Sequence, residues 1–485
     1  MTAALAIRHA NERNGSVLPA LATIDPSFTV RGTYYNTDSS AKVGLLKVWQ
    51  AWFGMDAQGY RVHPQGADAI VGAYRSEVSQ SIALVAGWDG LPQLSPTSAA
   101  QTLTNKVSYP YFGRTYPNAE LSAGLLAPIL CSFGWRNVAV VHVDDADGNG
   151  YVTALTQAAK ECSGDPLHIF DVSYTYNGDD LQAALRRVHV SEHNIIVVLT
   201  FDLAPYLAKA KEMGILTSSY AHIVVDGKGL SADLDEEHKM LLPGMLSWGA
   251  VANNSRGREY EYDHFVSVWK SLTPRDCATG SVFTPDASVF AEPPPDNAAF
   301  MYDAVAAMVL ALAAANLPAT EVKISSCPLF DVTRTHEQRT RTLTELRALN
   351  FSGTTGQVIF DGETGDRNTS TVGFSLDNYV NGQGWVQRRR RGEDQAPEDS
   401  TSPIIWIGHS TRVPKDVLNA DTSLGWEIQL LISLLVVPIA VLTLLLLAYR
   451  WNQRRKRVFR LAATGLPPRL GLAPGMRWHL FLSHT

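Results

Sequence analysis

An uncharged apolar stretch near the carboxyl end constrains this 485-residue chain more than any other feature. Residues 428–449 are dominated by Leu, Ile and Val, and these 22 residues would extend about 33 Å as a helix, enough to cross a bilayer. A buried core helix is the alternative, but core helices rarely run this long without a polar face. The sequence therefore predicts one transmembrane helix over residues 428–449.

The charge that follows this stretch predicts its orientation. Residues 450–485 contain eight Arg or Lys and no acidic residue. Because positive segments stay on the cytoplasmic side, we expect a plasma-membrane protein with a cytoplasmic tail and an extracellular amino-terminal part. The net charge of −6 then leaves the extracellular part markedly acidic, which argues against nucleic acid as a partner. The basic tail suits the anionic headgroups of a lipid bilayer.

Cysteines and glycosylation sequons also point to an extracellular location. All four cysteines precede the predicted span: Cys131, Cys162, Cys277 and Cys327. An even count is compatible with two disulfides, although three pairings stay open and reduced buried thiols are the alternative. Four Asn-x-Ser/Thr sequons predict N-glycosylation of the same part, at Asn14, Asn253, Asn350 and Asn368.

The amino terminus lacks the features of a secretory signal peptide. Arg8, His9 and Glu12 interrupt its apolar residues, so no long hydrophobic region forms. An extracellular domain needs a route across the membrane. Either the predicted span directs insertion, which the long preceding domain makes awkward, or the amino terminus is incomplete, and we expect the latter.

Apolar strands alternate with helical segments through the middle of the chain. Asn137–Val143, Ile195–Thr200 and Ala221–Val225 are buried strand patterns, and Leu181–His189 has helical periodicity. This alternation predicts parallel sheets with helices on both faces. Met301–Ala315 is almost wholly apolar, but its length and Asp303 indicate a core helix rather than a second span.

The pattern changes toward the end of this part. Gln357–Asp361 and Thr371–Leu376 predict short strands joined as a hairpin. Residues 387–403 include the run Arg388–Arg391 and predict a charged, solvated loop, with a protease processing site as the alternative.

Several motifs resemble one known family when they are taken in order. They are Tyr109–Thr115, Phe133-Gly134-Trp135, Tyr302–Val305, Phe351–Asp361 and Ile405–Gly408. Together they make residues 1–412 similar to the receptor ligand-binding region, the extracellular domain of class C G-protein-coupled receptors and natriuretic-peptide receptors. The metabotropic GABA receptor branch is the most similar. The first strand of that fold is absent before the opening helix, which agrees with a missing amino-terminal segment.

The resemblance implies an α/β fold, a two-lobed periplasmic-binding-protein type I clamp with parallel sheets, followed by one transmembrane helix. It predicts lobe 1 at 1–117, lobe 2 at 118–245, a return to lobe 1 at 246–340, a terminal hairpin of lobe 2 at 341–412, a juxtamembrane segment at 413–427 and a basic linker at 450–477. It also implies the disulfides Cys131–Cys162 and Cys277–Cys327. Residues 478–485 resemble the beginning of a Toll/interleukin-1 receptor domain, with a plain basic segment as the alternative.

The resemblance further implies a small ligand, amino-acid-like or a carboxylate, between the lobes. Ser76 matches the serine that holds the ligand's acid group, and Thr97 and Ser98 lie where a second hydroxyl is expected. Phe201 replaces a tyrosine that covers the ligand, and Asn297 replaces an acid that pairs with its amine, so GABA itself is not favoured. Asp202 or Asp226 is the candidate to supply the negative charge that Asn297 lacks. The alternative is that both are solvated loop carboxylates.

No motif predicts catalysis, a metal or a cofactor. The segment Asp145–Gly150 begins like a calcium-binding EF-hand loop, but its twelfth position is Thr156 rather than Glu and a strand precedes it. We therefore predict a receptor and not an enzyme, with a homo- or heterodimer forming through the extracellular part. A tethered solute-binding protein of a transporter and an adhesion domain without ligand are the alternatives.

Overall fold

Three sheets, of three, two and eight strands, organise the described part of the computed structural model of the protein. It describes residues 1–56, 58–60, 66–162, 165–252, 260–274, 287–291, 293–315, 332–392 and 395–416. Several predicted features lie outside these residues: the transmembrane helix at 428–449, the segments at 450–477 and 478–485, Asn253, Cys277 and Cys327.

The helices and strands alternate as the sequence predicts. The helices are α1 Thr2–Glu12, α2 Ala41–Trp52, α3 Ser76–Trp88, α4 Ala119–Ser132, α5 Ala146–Ala158, α6 Leu181–Val190, α7 Leu203–Glu212, α8 Gly227–Leu230, α9 Glu236–Lys239, α10 Tyr260–Ser271, α11 Asp296–Ala315 and α12 Val332–Ala348. The strands are β1 Ile70–Val71, β2 Gln93–Ser95, β3 Phe112–Arg114, β4 Asn137–Val143, β5 His168–Tyr174, β6 Ile195–Leu199, β7 Ala221–Val225, β8 Leu246–Val251, β9 Asn350–Gly353, β10 Gly356–Ile359, β11 Gly373–Val380, β12 Gly384–Gly392 and β13 Gln395–Asp399.

Lobe 1 is built on the short parallel sheet β1-β2-β3. Its core contains Leu5 of α1, Phe265 and Trp269 of α10 and Tyr302 of α11, all of them buried. Among the described helices, α11 alone is long and apolar enough to cross a membrane, but 72% of its apolar window is buried within the protein. It packs against α1 and α12 and is therefore the core helix that the sequence predicts.

Lobe 2 is built on an eight-stranded sheet in the order β13-β12-β11-β8-β7-β6-β4-β5. The five adjacent strands β5, β4, β6, β7 and β8 are parallel. Strands β11, β12 and β13 extend the sheet beyond β8 in antiparallel fashion. Successive side chains of β4 face opposite sides of the sheet, so Val138 and Val140 enter one core and Ala139 and Val141 the other. Parallel strands buried on both faces require such continuous apolar runs.

A disulfide joins Cys131, in α4, to Cys162, which follows α5. Their Cα atoms lie 6.2 Å apart, and the 31-residue separation corresponds to a stabilisation of about 3–4 kcal/mol. This is the first of the two pairings that the family resemblance implies.

The structure corrects the predicted end of the domain in three places. The chain returns to lobe 1 after Val251 rather than at 246, because β8 pairs with β7 and β11 of lobe 2. The hairpin β9–β10 packs into the core of lobe 1, so the segment from 341 onward is divided between the lobes. The start of the predicted charged loop is the strand β12, which hydrogen-bonds with β11 and β13.

Specific contacts explain how the arginine run is accommodated in a strand. The Arg391 guanidinium pairs with Asp399 of β13 at 2.7 Å. That of Arg389 lies 4.3 Å from the centre of the Phe133 ring. Asp399 thus compensates the charge of one arginine and Phe133 covers another, and both contacts are compatible with a strand at this position.

Buried arginines lie where the chain passes between the lobes. Arg114 is fully buried and donates to Asp366 Oδ2 at 2.6 Å and to the carbonyl oxygen of Ala100 at 2.9 Å. Burial alone would raise the pKa of Asp366, but the charge and hydrogen bond of Arg114, together with Lys106 and Thr104, outweigh it and hold that pKa below its usual value. Arg367, the residue after Asp366, donates to the carbonyl oxygens of Thr355 and Gln357, both at 2.9 Å.

We expect Arg114→Ala to destabilise the fold by about 3–5 kcal/mol, because it removes the closer of the two cations beside the buried Asp366 and leaves only Lys106, at 3.9 Å. Urea unfolding followed by tryptophan fluorescence measures this. Arg341→Ala is the matched control, since its exposed pair with Glu345 spans 4.0 Å and contributes under about 1 kcal/mol. Equal stability of both variants would show that the interlobe ion pair has no structural role.

Candidate functional site

A cavity of about 110 Å³ lies between the two lobes. Val143, Leu199 and Val225 bring to it the carboxyl ends of β4, β6 and β7 of lobe 2. Thr97 and the start of α11 line the opposite, lobe 1 side. The edge where parallel strands end is the usual ligand position in such sheets, and this volume suits a small solute.

Four of the six predicted ligand residues line this cavity: Thr97, Phe201, Asp226 and Asn297. Thr97 Oγ1 donates to the carbonyl oxygen of Tyr74 at 2.9 Å. Asp226 accepts from the hydroxyl of Tyr116 through both carboxylate oxygens, at 2.8 and 3.0 Å. Asp202 lies apart from them, since it is exposed and its carboxylate accepts from the amide of Ala204 at the start of α7.

The two predicted serines are buried and bonded within the protein. Ser98 Oγ lies 2.8 Å from Ser79 Oγ and 3.3 Å from the carbonyl oxygen of Ala73. Ser76 Oγ donates to Asp147 Oδ1 at 3.1 Å and accepts from the amide of Ala100 at 3.1 Å. Neither serine is among the residues that line the cavity.

Arg75 joins the lobes beside the cavity. It precedes α3 of lobe 1 and is 5% exposed. Its Nη2 donates to Asp145 Oδ2 of lobe 2 at 2.9 Å. Its guanidinium carbon lies 4.4 Å from the ring centres of both Tyr176 and Phe201, a distance at which a cation is attracted to an aromatic face. Phe201 therefore covers Arg75 as well as lining the cavity.

Two further polar contacts connect the lobes around the same cavity. Lys228 of α8 pairs with Asp296, the first residue of α11, at 3.1 Å. Ser76 of lobe 1 donates to Asp147 of lobe 2, as described above. Together with Arg75 they hold the two lobes in direct contact.

The cavity is lined by more acidic than basic groups. Five carboxylates line it, Asp145, Asp147, Asp226, Asp296 and Asp377, whereas Lys228 is the one Lys or Arg among the described lining residues. Burial, and secondarily Asp145, raises the pKa of Asp147 to about 7. Burial also raises the pKa of Asp226 to about 6, against the hydrogen bond from Tyr116, and it raises the pKa of Asp377.

Sequence reasoning missed Asp147 and Arg75. The motif Asp144-Asp145-Ala146-Asp147 was the available signal, and it follows the carboxyl end of β4. Asp145 Oδ1 accepts from the amides of Asp147 and Gly148 and so caps α5, while Asp147 lies in the first turn of that helix. This motif was tested as a calcium-binding loop and rejected, and the start of a helix at the cleft was not recognised.

Known proteins similar to this chain are receptors. The chain is 26% identical over 364 residues to metabotropic glutamate receptor-like protein E of Dictyostelium discoideum, covering 72% of this chain and 40% of that protein. It is 25% identical over 387 residues to glutamate receptor 2.1 of Arabidopsis thaliana, covering 74% and 39%. It is 30% identical over 149 residues to the extracellular calcium-sensing receptor of Mus musculus, covering 30% and 14%.

The chain thus spans about two fifths of the length of the first two relatives. Residues 3–377 match the family described as the receptor family ligand binding region. This is a family of receptor domains and not of enzymes, which confirms the prediction from sequence. The chain belongs to the receptor family ligand-binding region.

Proposed function

We propose that this protein is the ligand-binding part of a cell-surface receptor, which closes its two lobes around a small molecule and signals across the membrane through residues 428–449. The observation that carries the proposal is the cavity at the strand ends, lined by residues of both lobes. A ligand that contacts both lobes binds the closed form better than the open form and therefore shifts the population toward closure.

The lining supports one of the two ligand classes expected from the sequence. A plain carboxylate would meet an excess of acidic side chains, whereas an amino-acid-like ligand brings an ammonium group to them. Asp226 is well placed for such a group, because the Tyr116 hydroxyl already orients its carboxylate. We therefore favour a ligand that carries an ammonium group over plain carboxylates.

The proposed topology places this domain outside the cell and residues 450–485 inside. Two sequon asparagines, Asn350 and Asn368, are exposed and Asn14 is half-buried, which supports glycosylation of this part. Residues 478–485 would then begin a cytoplasmic Toll/interleukin-1 receptor domain.

A thermal-shift screen with amino acids and small amines tests ligand binding. We expect a ligand at a hundred times its dissociation constant to stabilise the protein by about 2.7 kcal/mol. Asp226→Asn should raise at least tenfold the ligand concentration that is needed for the same shift, because it removes a carboxylate from the cavity. Asp263→Asn, at an exposed position of α10, should leave the shift unchanged. Equal shifts in both variants would place the ligand elsewhere.

Arg75→Ala tests closure of the lobes. We expect the closed form to lose about 2 kcal/mol, roughly thirtyfold in population, because the guanidinium between two rings is lost. Small-angle X-ray scattering then gives a larger radius of gyration than for the unaltered protein. Arg186→Ala removes an exposed arginine of α6 and should leave the radius unchanged. A radius unaffected by Arg75→Ala would contradict a closing role for this contact.

We also propose that two copies, or this chain and a similar one, associate through lobe 1. The adjacent helices α2 and α3 expose large apolar side chains: Leu45, Leu46, Trp49, Phe53, Leu84 and Trp88. Trp88 is 81% exposed, and clusters of this kind mark interaction surfaces.

The substitution Trp88→Glu should convert dimers into monomers in analytical ultracentrifugation, because it places a charge in the apolar contact. Val190→Glu is the matched control, since Val190 is 74% exposed on α6 of lobe 2. If the unaltered protein sediments as a monomer, or if both variants dissociate alike, lobe 1 is not the interface.

A further inference from the structure

We propose that the ligand of the interlobe cavity is a small organic amine without a carboxylate, and that Asp147 determines this specificity. The inference rests on the proposed function and deepens it by naming the chemical class of the ligand.

The first argument is that the protein itself occupies the hydrogen-bonding position of a ligand acid. Ser76 is the residue to which the family resemblance assigns the ligand's acid group. Here its hydroxyl donates to Asp147 Oδ1 at 3.1 Å, and its oxygen accepts from the amide of Ala100. The single hydroxyl proton of Ser76 is thus already donated to a carboxylate. A ligand carboxylate would have to displace Asp147 from Ser76 and would be repelled by the ionised form of Asp147.

The second argument is the balance of charge after the ion pairs are assigned. Arg75 neutralises Asp145, and Lys228 neutralises Asp296. Within the part of the chain that the structure describes, the other three acidic lining residues form no ion pair with Lys or Arg: Asp147, Asp226 and Asp377. An entering ammonium compensates this charge, whereas a zwitterion adds a further carboxylate to it.

The third argument is the chemistry of the remaining lining. Four aromatic rings line the cavity, those of Tyr74, Tyr116, Tyr151 and Phe201. Aromatic faces attract an alkylammonium group and offer its carbon atoms an apolar contact. Asp226 is oriented by Tyr116, so it presents a fixed acceptor to the N–H groups of the ligand. The volume of about 110 Å³ restricts the ligand to a few non-hydrogen atoms.

Matched pairs of probes that differ by one carboxylate test this inference on the full chain. They are methylamine and glycine, ethylamine and alanine, and ethanolamine and serine, and binding is measured by isothermal titration calorimetry. We expect the amine of at least one pair to bind at least tenfold more tightly than its amino acid. Asp147→Asn keeps an acceptor for Ser76 and removes the charge, so amine affinity should fall at least tenfold. Asp147→Ala leaves the Ser76 hydroxyl without this acceptor. It should therefore reduce or reverse the difference in affinity between the amine and its amino acid.

Two controls keep the outcome decisive. Asp144→Asn alters an exposed carboxylate at the same strand end and should leave amine affinity unchanged. The melting temperature of each variant shows whether it is folded. If Asp147→Ala does not fold, Asp147→Asn alone tests the role of Asp147.

The outcomes separate this inference from the proposed function. Tighter binding of the amino acids by the unaltered protein overturns the inference and leaves the receptor function standing. Binding of neither class overturns both. Amine binding that is equal in Asp147→Asn and Asp144→Asn overturns the role assigned to Asp147.

Discussion

The buried contact of Arg114 with Asp366 holds together two segments in which the chain passes between the lobes. The two residues are 252 positions apart in sequence, and both lie where the chain passes between the sheets. An unpaired charge at this depth is strongly unfavourable, so the two crossings stay together as long as the protein is folded. The proposed closure of the cleft would then leave these crossing segments in place.

The cleft is closed by polar contacts rather than by a second apolar core. The guanidinium of Arg75 between Tyr176 and Phe201 and the pair of Lys228 with Asp296 are partly buried and hydrogen-bonded. Such contacts are strong when water is excluded and weak when water enters, so the proposed opening of the cleft would weaken them. An apolar seam of the same area would hold the lobes together whether or not a ligand is present. The polar seam thus leaves the equilibrium within reach of the binding energy of a small solute.

The sequence predicts those helices and strands that are determined by the pattern of their own residues. Strands β4, β6 and β7 are continuous β-branched runs, and their pattern is sufficient to place them within a residue. Helix α4 was not predicted, because it is apolar on all sides and contains Pro128, so it has little helical periodicity. The strand β12 was mistaken for a loop because Asp399 and Phe133, which accommodate its arginines, come from other segments. The family resemblance placed Thr97 and Phe201 at the cleft, but the interlobe partners of Arg75 and Ser76 are 70 and 71 positions away, and no local pattern reveals them.

Asp145 and Asp147 show how two neighbouring acids acquire different roles. Asp145 caps α5 and pairs with Arg75, so its charge is compensated within the protein. Asp147, in the first turn of the same helix, receives only the Ser76 hydroxyl, and burial raises its pKa to about 7. A bound cation would favour the ionised form of this carboxylate and lower that pKa, so ligand binding and proton release are linked. For the amine ligand that we propose, the protonation state of Asp147 near neutral pH would therefore change with occupancy of the cleft.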